Sequence, residues 1–153
     1  MKLVSVIIVT YNSDELIDDC LHSLEEYNDI GEHLEVIIVD NCSKNAHSFL
    51  NKINTTYPYV KTFSNNNNAG YGAGNNYGIK KATAPIILIM NPDVRLKEPI
   101  FKRALCKFSS DLEVKVLGMK QWKSKHSKGE SYFCDCLLSD FYTIFIQVSQ
   151  VNR

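Results

Sequence analysis

Charge of neither sign predominates in this sequence, with Lys+Arg and Asp+Glu at 17 each. A molecule without a basic excess has no overall field to draw nucleic acid or an anionic membrane, so nucleic acid is not an expected partner. No apolar run approaches the roughly 20 residues of a membrane span. Lys2 leads straight into a strand-like run rather than a secretory leader, so a cytoplasmic protein is expected. The five cysteines, Cys20, Cys42, Cys106, Cys134 and Cys136, are odd in number and scattered. Cys134-x-Cys136 alone is too little for a disulfide framework or a zinc site, which leaves free thiols in a reducing compartment. The loop after the first apolar run, Thr10-Tyr11-Asn12, holds no glycine. A dinucleotide fingerprint is thereby excluded, since Gly70, Gly72 and Gly74 come much later with Asn75 following, and a Walker loop is absent.

What is present is an ordinary single-domain composition: 153 residues, 44% hydrophobic and 22% charged. The most informative stretch is Pro85 to Val94. Five apolar residues, Ile86 to Met90, are opened by a proline and stopped by Asn91-Pro92-Asp93. Such a run reads as a strand buried on both faces, and Pro92 ends it because it cannot donate to a ladder. Asp93 then stands just beyond the strand's carboxyl end, where an open α/β sheet binds ligands and a carboxylate can hold a cation against a phosphate. Asn-Pro-Asp is equally a well-made turn, so the other segments must decide.

Val4 to Val9 and Val36 to Val39 are two more apolar strands, ending at Thr10-Tyr11-Asn12 and Asp40-Asn41. Between them Ser13 is an expected N-cap, and Leu16, Ile17, Cys20, Leu21 and Leu24 recur at helical spacing. A short helix through Phe49, Leu50 and Ile53 leads to a weaker strand at Tyr59 to Phe63. Asn65 to Gly78 reads as a glycine- and asparagine-rich loop whose amides could face phosphate, or as flexible low-complexity chain, with Ile79 to Ala82 continuing as helix. Pro99 opens a further helix through Ile100, Phe101, Ala104, Leu105 and Phe108, and Val114 to Met119 is a further strand. Gln121 to Glu130, near Lys120, Lys123, Lys125 and Lys128, reads as a solvated surface loop. The apolar tail from Tyr132 to Val151 fits strand or short helix, and core burial, a dimer contact or a membrane surface would each use it. Alternation of strand and helix with short loops predicts a mostly parallel, doubly wound α/β sheet flanked by helices. Polar clusters at three strand ends plus the glycine-rich segment then point to a nucleotide-type ligand. A phosphoacceptor domain would want an acidic pair after the first strand and is set aside.

In the blocks Val4 to Asn12, Ile37 to Ser43, Asn68 to Ile79 and Leu88 to Asp93, in this order and spacing, the sequence resembles the inverting family-2 glycosyltransferases of GT-A fold. The likeness covers roughly residues 3 to 120, and the Asn-Pro-Asp form is most similar to the rhamnosyltransferase-like branch of surface polysaccharide synthesis. The resemblance implies one nucleotide-sugar-binding domain over residues 1–153. It implies transfer of a sugar from a UDP- or dTDP-linked donor to a glycan or lipid-linked acceptor, at the inner face of the membrane if the protein is peripheral. Thr10, Tyr11 and Asn12 would line the base and ribose pocket. Asp40, beside Asn41, would accept from the ring N–H of uracil or thymine. Asn68, Gly70 and Asn76 would border ribose and diphosphate. Asn91 and Asp93 stand at the family's D-x-D motif, and Asp93 would ligate Mg²⁺ or Mn²⁺.

One departure from the pattern concerns the chemistry. Family members carry a later part with the acceptor site and a carboxylate general base. Asp135 and Asp140 are the weak candidates here, since neither sits in a recognisable version of that motif. A truncated or split enzyme, completed by a homodimer or a partner chain, and a non-catalytic nucleotide-sugar-binding module both remain open.

Overall fold

The structure, a computed structural model, describes residues 1–126, 129–135 and 141–147, with side chains as far as Met119. Its first half alternates as expected: β1 (Val4–Thr10), α1 (Ile17–Glu26), β2 (Leu34–Asp40), α2 (Ala46–Thr56), β3 (Val60–Ser64), α3 (Tyr71–Lys81) and β4 (Ile86–Met90). β1 pairs in parallel with both β2 and β4, and β2 with β3. β1 and β2 are buried at every position, which is why their sequences are apolar runs rather than alternating ones.

The two faces of the sheet follow the period of two. Val4, Val6, Ile8, Val36, Ile38 and Leu88 pack with Ile17, Leu21, Leu24, Phe49 and Ile53, so α1 and α2 cover one face. Ile7, Val9, Ile37, Val39 and Ile87 face the other way, toward Ala82, Tyr77 and Ile79 of α3.

The second half is β5 (Val94–Leu96), α4 (Phe101–Ser110), β6 (Val116–His126), β7 (Gly129–Asp135) and β8 (Phe141–Gln147), and the sheet order is β3-β2-β1-β4-β8-β6-β7-β5. β8 is antiparallel to β4 and to β6, and β7 is antiparallel to β6. Met90 and Val94 are only four Cα steps apart, at most about 15 Å of chain. A flat sheet would put β4 and β5 about 19 Å apart, across three intervening strands. The antiparallel half therefore curls back toward β4, and β5 docks on α1. There Arg95 pairs with Asp19, and the Leu96 N–H donates to Ser23 Oγ at 3.0 Å.

Several local expectations are corrected. The described residues of the Gln121–Glu130 stretch are strand rather than loop, with Lys125 opposite Glu130 and His126 opposite Gly129 in an antiparallel pair. Backbone pairing there is indifferent to the polarity that suggested a loop. Part of the apolar tail is the strand β8. Ser13 does not cap α1, which starts four residues later behind a turn closed by Leu16 N–H on the Ser13 carbonyl at 3.1 Å. α4 begins at Phe101, two residues past Pro99. Cys20, Cys42 and Cys106 are in no disulfide; Cys136 and Asp140 lie outside the described residues. Among the described residues no helix is long and apolar enough to cross a membrane.

The largest correction concerns the glycines. The segment is not a loop through Gly78: helix begins at Tyr71 and takes in Gly72, Gly74 and Gly78. A Cβ on Gly74 would stand 2.8 Å from Val9 Cγ1, and one on Gly78 2.5 Å from Ile7 Cγ2. These two glycines let the helix lie against the sheet instead of cradling a phosphate. Gly70, the N-cap, is different: its φ of 88° needs glycine, while nothing lies within 4 Å of where a Cβ would go.

Candidate functional site

The sheet runs from β1 to β2 and β3 on one side and to β4 on the other, so the chain reverses direction of travel across the sheet beside β1. At that switch the carboxyl ends of neighbouring strands diverge and leave a crevice. An open cleft of ≈ 490 Å³ lies there, lined by Thr10, Tyr11, Asn41, Asn68, Gly70, Tyr71, Asn91 and Asp93, with Val9, Ser13, Leu16 and Pro92. Its size suits a small ligand.

The floor is an asparagine lattice. Asn41, 2% exposed, donates through Nδ2 to Asn68 Oδ1 at 2.7 Å and to the Gly70 carbonyl at 3.1 Å. Its own Oδ1 accepts from Asn65 at 2.9 Å. The Gly70 N–H closes back on Asn68 Oδ1 at 3.0 Å. Both ends of the Asn41 amide are therefore spoken for, and its work is to fix the approach of the chain to α3. Tyr11 and Tyr71 stand half-exposed in the cleft walls.

Asp40 departs from the expected role. It is fully buried and outside the cleft lining. Its carboxylate accepts from the Ser43 N–H at 2.8 Å, from the Ser43 hydroxyl at 2.5 Å and, weakly, from the Thr10 hydroxyl at 3.4 Å. Three of its roughly four acceptor sites are thus used inside the protein, to hold the turn after β2. Asn12 is likewise not among the residues that line the cleft. In the left-handed region at φ 49°, it bridges to the β2–α2 loop by donating its N–H to Ser43 Oγ at 2.8 Å and accepting from Lys44 N–H at 3.2 Å. Asn76 lies exposed on α3, off the cleft, while its neighbour Asn75 is buried. Thr10, Tyr11, Asn41, Asn68, Gly70, Asn91 and Asp93 are brought together as expected.

Tyr71 is the residue the sequence reading missed. Its phenol donates to Asn91 Oδ1 at 2.6 Å across the cleft. Burial, with the Asp93 charge adding to it, pushes this phenol up from its ordinary value. A tyrosine directly after the left-handed glycine at a helix start was the available signal.

Asp93 Oδ1 is buried without a hydrogen-bond partner, and burial raises the carboxyl above its ordinary range. An orphaned carboxylate oxygen in a cleft wall is what a hard cation would satisfy, so the residues present fit Mg²⁺ or Mn²⁺. Among the described residues no three His, Cys, Asp or Glu side chains gather as a ready-made metal site. The other ligands would then be phosphate oxygens and water, as is usual for Mg²⁺. Asp93 is also the one carboxylate among the described lining residues. Asp135 ends β7 three strands away from β4, and its side chain is not described.

A mostly parallel first half with a polar cleft at its switch point defines the class, an open α/β domain with a ligand-sized cleft at its strand ends. Comparison with known proteins narrows it, for the model of the family "Glycosyl transferase family 2" matches residues 5–129. The chain belongs to that family. The poly(ribitol-phosphate) β-N-acetylglucosaminyltransferase TarS of Staphylococcus aureus is 29% identical over 109 residues, 68% of this chain and 18% of TarS. The poly(ribitol-phosphate) β-glucosyltransferase of Bacillus spizizenii is 35% identical over 92 residues, 59% of this chain and 14% of that enzyme. The solved structure of TarS 1–349 in complex with UDP superposes with a TM-score of 0.66 at 27% identity, over 78% of this chain and 36% of that one. The mannosyltransferase PcManGT of Pyrobaculum calidifontis, solved with GDP-Man and Mn²⁺, shares the fold with a TM-score of 0.69 at 24% identity, over 78% of this chain and 35% of that one. The chain thus spans less than a fifth of the length of these curated relatives.

Proposed function

We propose that this chain is the donor-binding part of a glycosyltransferase that moves a sugar from a UDP- or dTDP-linked donor to a glycan or lipid-linked acceptor in cell-surface polysaccharide synthesis. The observation that carries the reading is the cleft at the ends of β1, β2 and β4, with the unpartnered Asp93 Oδ1 in its wall. Relatives that act on poly(ribitol-phosphate) support a cell-surface polymer as acceptor. The Asn-Pro-Asp form supports a rhamnosyl or other hexosyl donor.

In this reading Tyr11 offers its ring to base or ribose, and Asn68 and Gly70 border ribose and diphosphate. Asp40 would reach a base N–H only through its remaining acceptor site, with the Thr10 wall moved aside. Asp93 would hold Mg²⁺ or Mn²⁺ at the diphosphate. When bound, that cation would offset the charge gathering on the departing nucleoside diphosphate. The chain's own contribution is to orient the donor between the asparagine lattice and the end of β4, in a cleft whose hydrogen-bonding groups are already in place. A base must still take the proton from the attacking hydroxyl. It would come from Asp135 or Asp140, from a second copy, or from a partner chain at the membrane face.

A second reading, a non-catalytic nucleotide-sugar-binding module, is favoured by Asp93 being the lone carboxylate among the described lining residues. Incubation with UDP- and dTDP-sugars separates the two. Hydrolysis or transfer that disappears in Asp93→Ala supports the enzyme, and binding without any turnover supports the module.

A further inference from the structure

The hydrogen bond between Tyr71 and Asn91 joins the two sides of the cleft, and both of its ends are anchored. Tyr71 is the first residue of α3, just after a Gly70 whose N–H and carbonyl are held by Asn68 and Asn41. The helix behind it is pressed onto β1 at Gly74 and Gly78. Asn91 directly follows β4 and precedes Pro92, so its backbone is restricted as well. The phenol therefore arrives from a fixed origin at a fixed target, and meets it at 2.6 Å.

An asparagine amide has an acceptor end and a donor end that nearly superpose when the group turns over. With the Tyr71 proton on Oδ1, that acceptor is occupied and the amide is tied to the fixed phenol. The N–H₂ end is then the one left to meet a molecule entering the cleft. Without the phenol hydroxyl the amide loses this anchor and is free to turn its carbonyl, which repels an anion, toward the cleft. We propose that Tyr71 is a positioning residue which, acting through Asn91, holds that side chain as a hydrogen-bond donor to a diphosphate oxygen of the bound nucleotide. The inference rests on the nucleotide-sugar reading above and adds to it Tyr71, which the resemblance gave no role.

The test is a double-mutant cycle read by calorimetry, with UDP and Mn²⁺ as the probe, on wild type, Tyr71→Phe, Asn91→Ala and the double variant. Phenylalanine keeps the ring and its packing, and circular dichroism checks that each variant is folded. Tyr71→Phe is expected to weaken UDP binding about three- to tenfold, the scale of one hydrogen bond. In the Asn91→Ala background the same change is expected to do nothing further, because the group it orients is gone. A merely structural role for the hydroxyl would cost as much in either background, and that additive result overturns the proposal. So does Tyr71→Phe binding UDP as tightly as wild type. Wild-type protein that binds none of UDP, dTDP, GDP and CDP is a separate result, and it removes the nucleotide reading and this inference together.

Discussion

Gly78 lies so close to Ile7 that a Cβ on the glycine would stand 2.5 Å from the isoleucine Cγ2, with Val39 Cγ2 at 3.2 Å on the other side. Those neighbours are buried β-branched side chains of β1 and β2, which have nowhere to go. Gly78→Ala is therefore expected to destabilise the protein by about 1–3 kcal/mol through overpacking, despite alanine's better helix propensity. Gly72, in the same helix, has nothing within 4 Å of a built Cβ. Gly72→Ala should be neutral or stabilising by up to about 1 kcal/mol. Urea midpoints of the two variants check the pair. Equal losses would mean that both glycines serve a ligand or a backbone conformation instead.

Asp93 carries a cost in the ligand-free protein. Burial raises its carboxyl above the ordinary value of 3.8, so the fold favours the protonated form. A raised acid contributes stability that is fully present below its unfolded pKa and lost as pH rises through its folded one. At neutral pH the ionised group is therefore a net strain. Asp93→Asn should raise the thermal midpoint of the apoprotein near neutrality, with the advantage over wild type shrinking toward pH 4. The same substitution should abolish any metal-dependent ligand stabilisation. A lower midpoint for Asp93→Asn at every pH would show instead that the carboxylate is paired in solution.

Glu35 behaves in the opposite sense. Its side chain is 1% exposed at the amino-terminal edge of the sheet, where it accepts from Ser5, from Lys61 at 2.6 Å and from the N–H and hydroxyl of Thr83 at 2.9 and 3.0 Å. This clamp ties β1, β2, β3 and the turn before β4 together, far from the cleft. Burial alone would raise the carboxyl, but the Lys61 ammonium and the hydroxyl and amide donors outweigh it and leave it below 4.5. A lowered acid contributes stability that is present above its unfolded pKa and lost as pH falls through its folded one. Urea midpoints of wild type should therefore drop below about pH 4.5, and Glu35→Gln should remove part of that drop. Glu35→Ala should cost about 3 kcal/mol, since it strands several buried donors. An unchanged acid profile in Glu35→Gln would place the transition on other carboxylates.

The strands of the parallel half were legible because double-sided burial writes itself as unbroken apolar runs, at Val4 to Val9, Val36 to Val39 and Ile86 to Met90. Their ends were legible too, as polar residues and Pro92. α3 was half hidden, because glycines argue against helix until it is known that Val9 and Ile7 stand where a Cβ would be. Here tertiary packing overrides local propensity. The β6–β7 pair was hidden by its lysines and serines, since ladder pairing leaves no trace in polarity. Of the candidate site, Thr10, Tyr11, Asn41, Asn91 and Asp93 at the strand ends do line one cleft. Not legible was that Asp40 and Asn12 brace the β2–α2 turn through Ser43 and Lys44, contacts made 31 and 32 residues away in the case of Asn12. Tyr71 went unnoticed because its partner Asn91 is 20 residues distant and only the packing of α3 beside β4 in the fold brings them together.

The most direct measurement of the central claim is calorimetric titration of UDP, dTDP, GDP and CDP, with and without Mn²⁺, into wild type and Asp93→Ala. At about 100 times the dissociation constant a ligand stabilises its protein by roughly 2.7 kcal/mol, so a thermal-shift series gives an independent reading of the same binding. UDP or dTDP binding that depends on Mn²⁺ and is lost in Asp93→Ala is the predicted result. No binding by any of the four, or binding indifferent to both Mn²⁺ and Asp93, would contradict the account and leave the cleft as a feature of the scaffold alone.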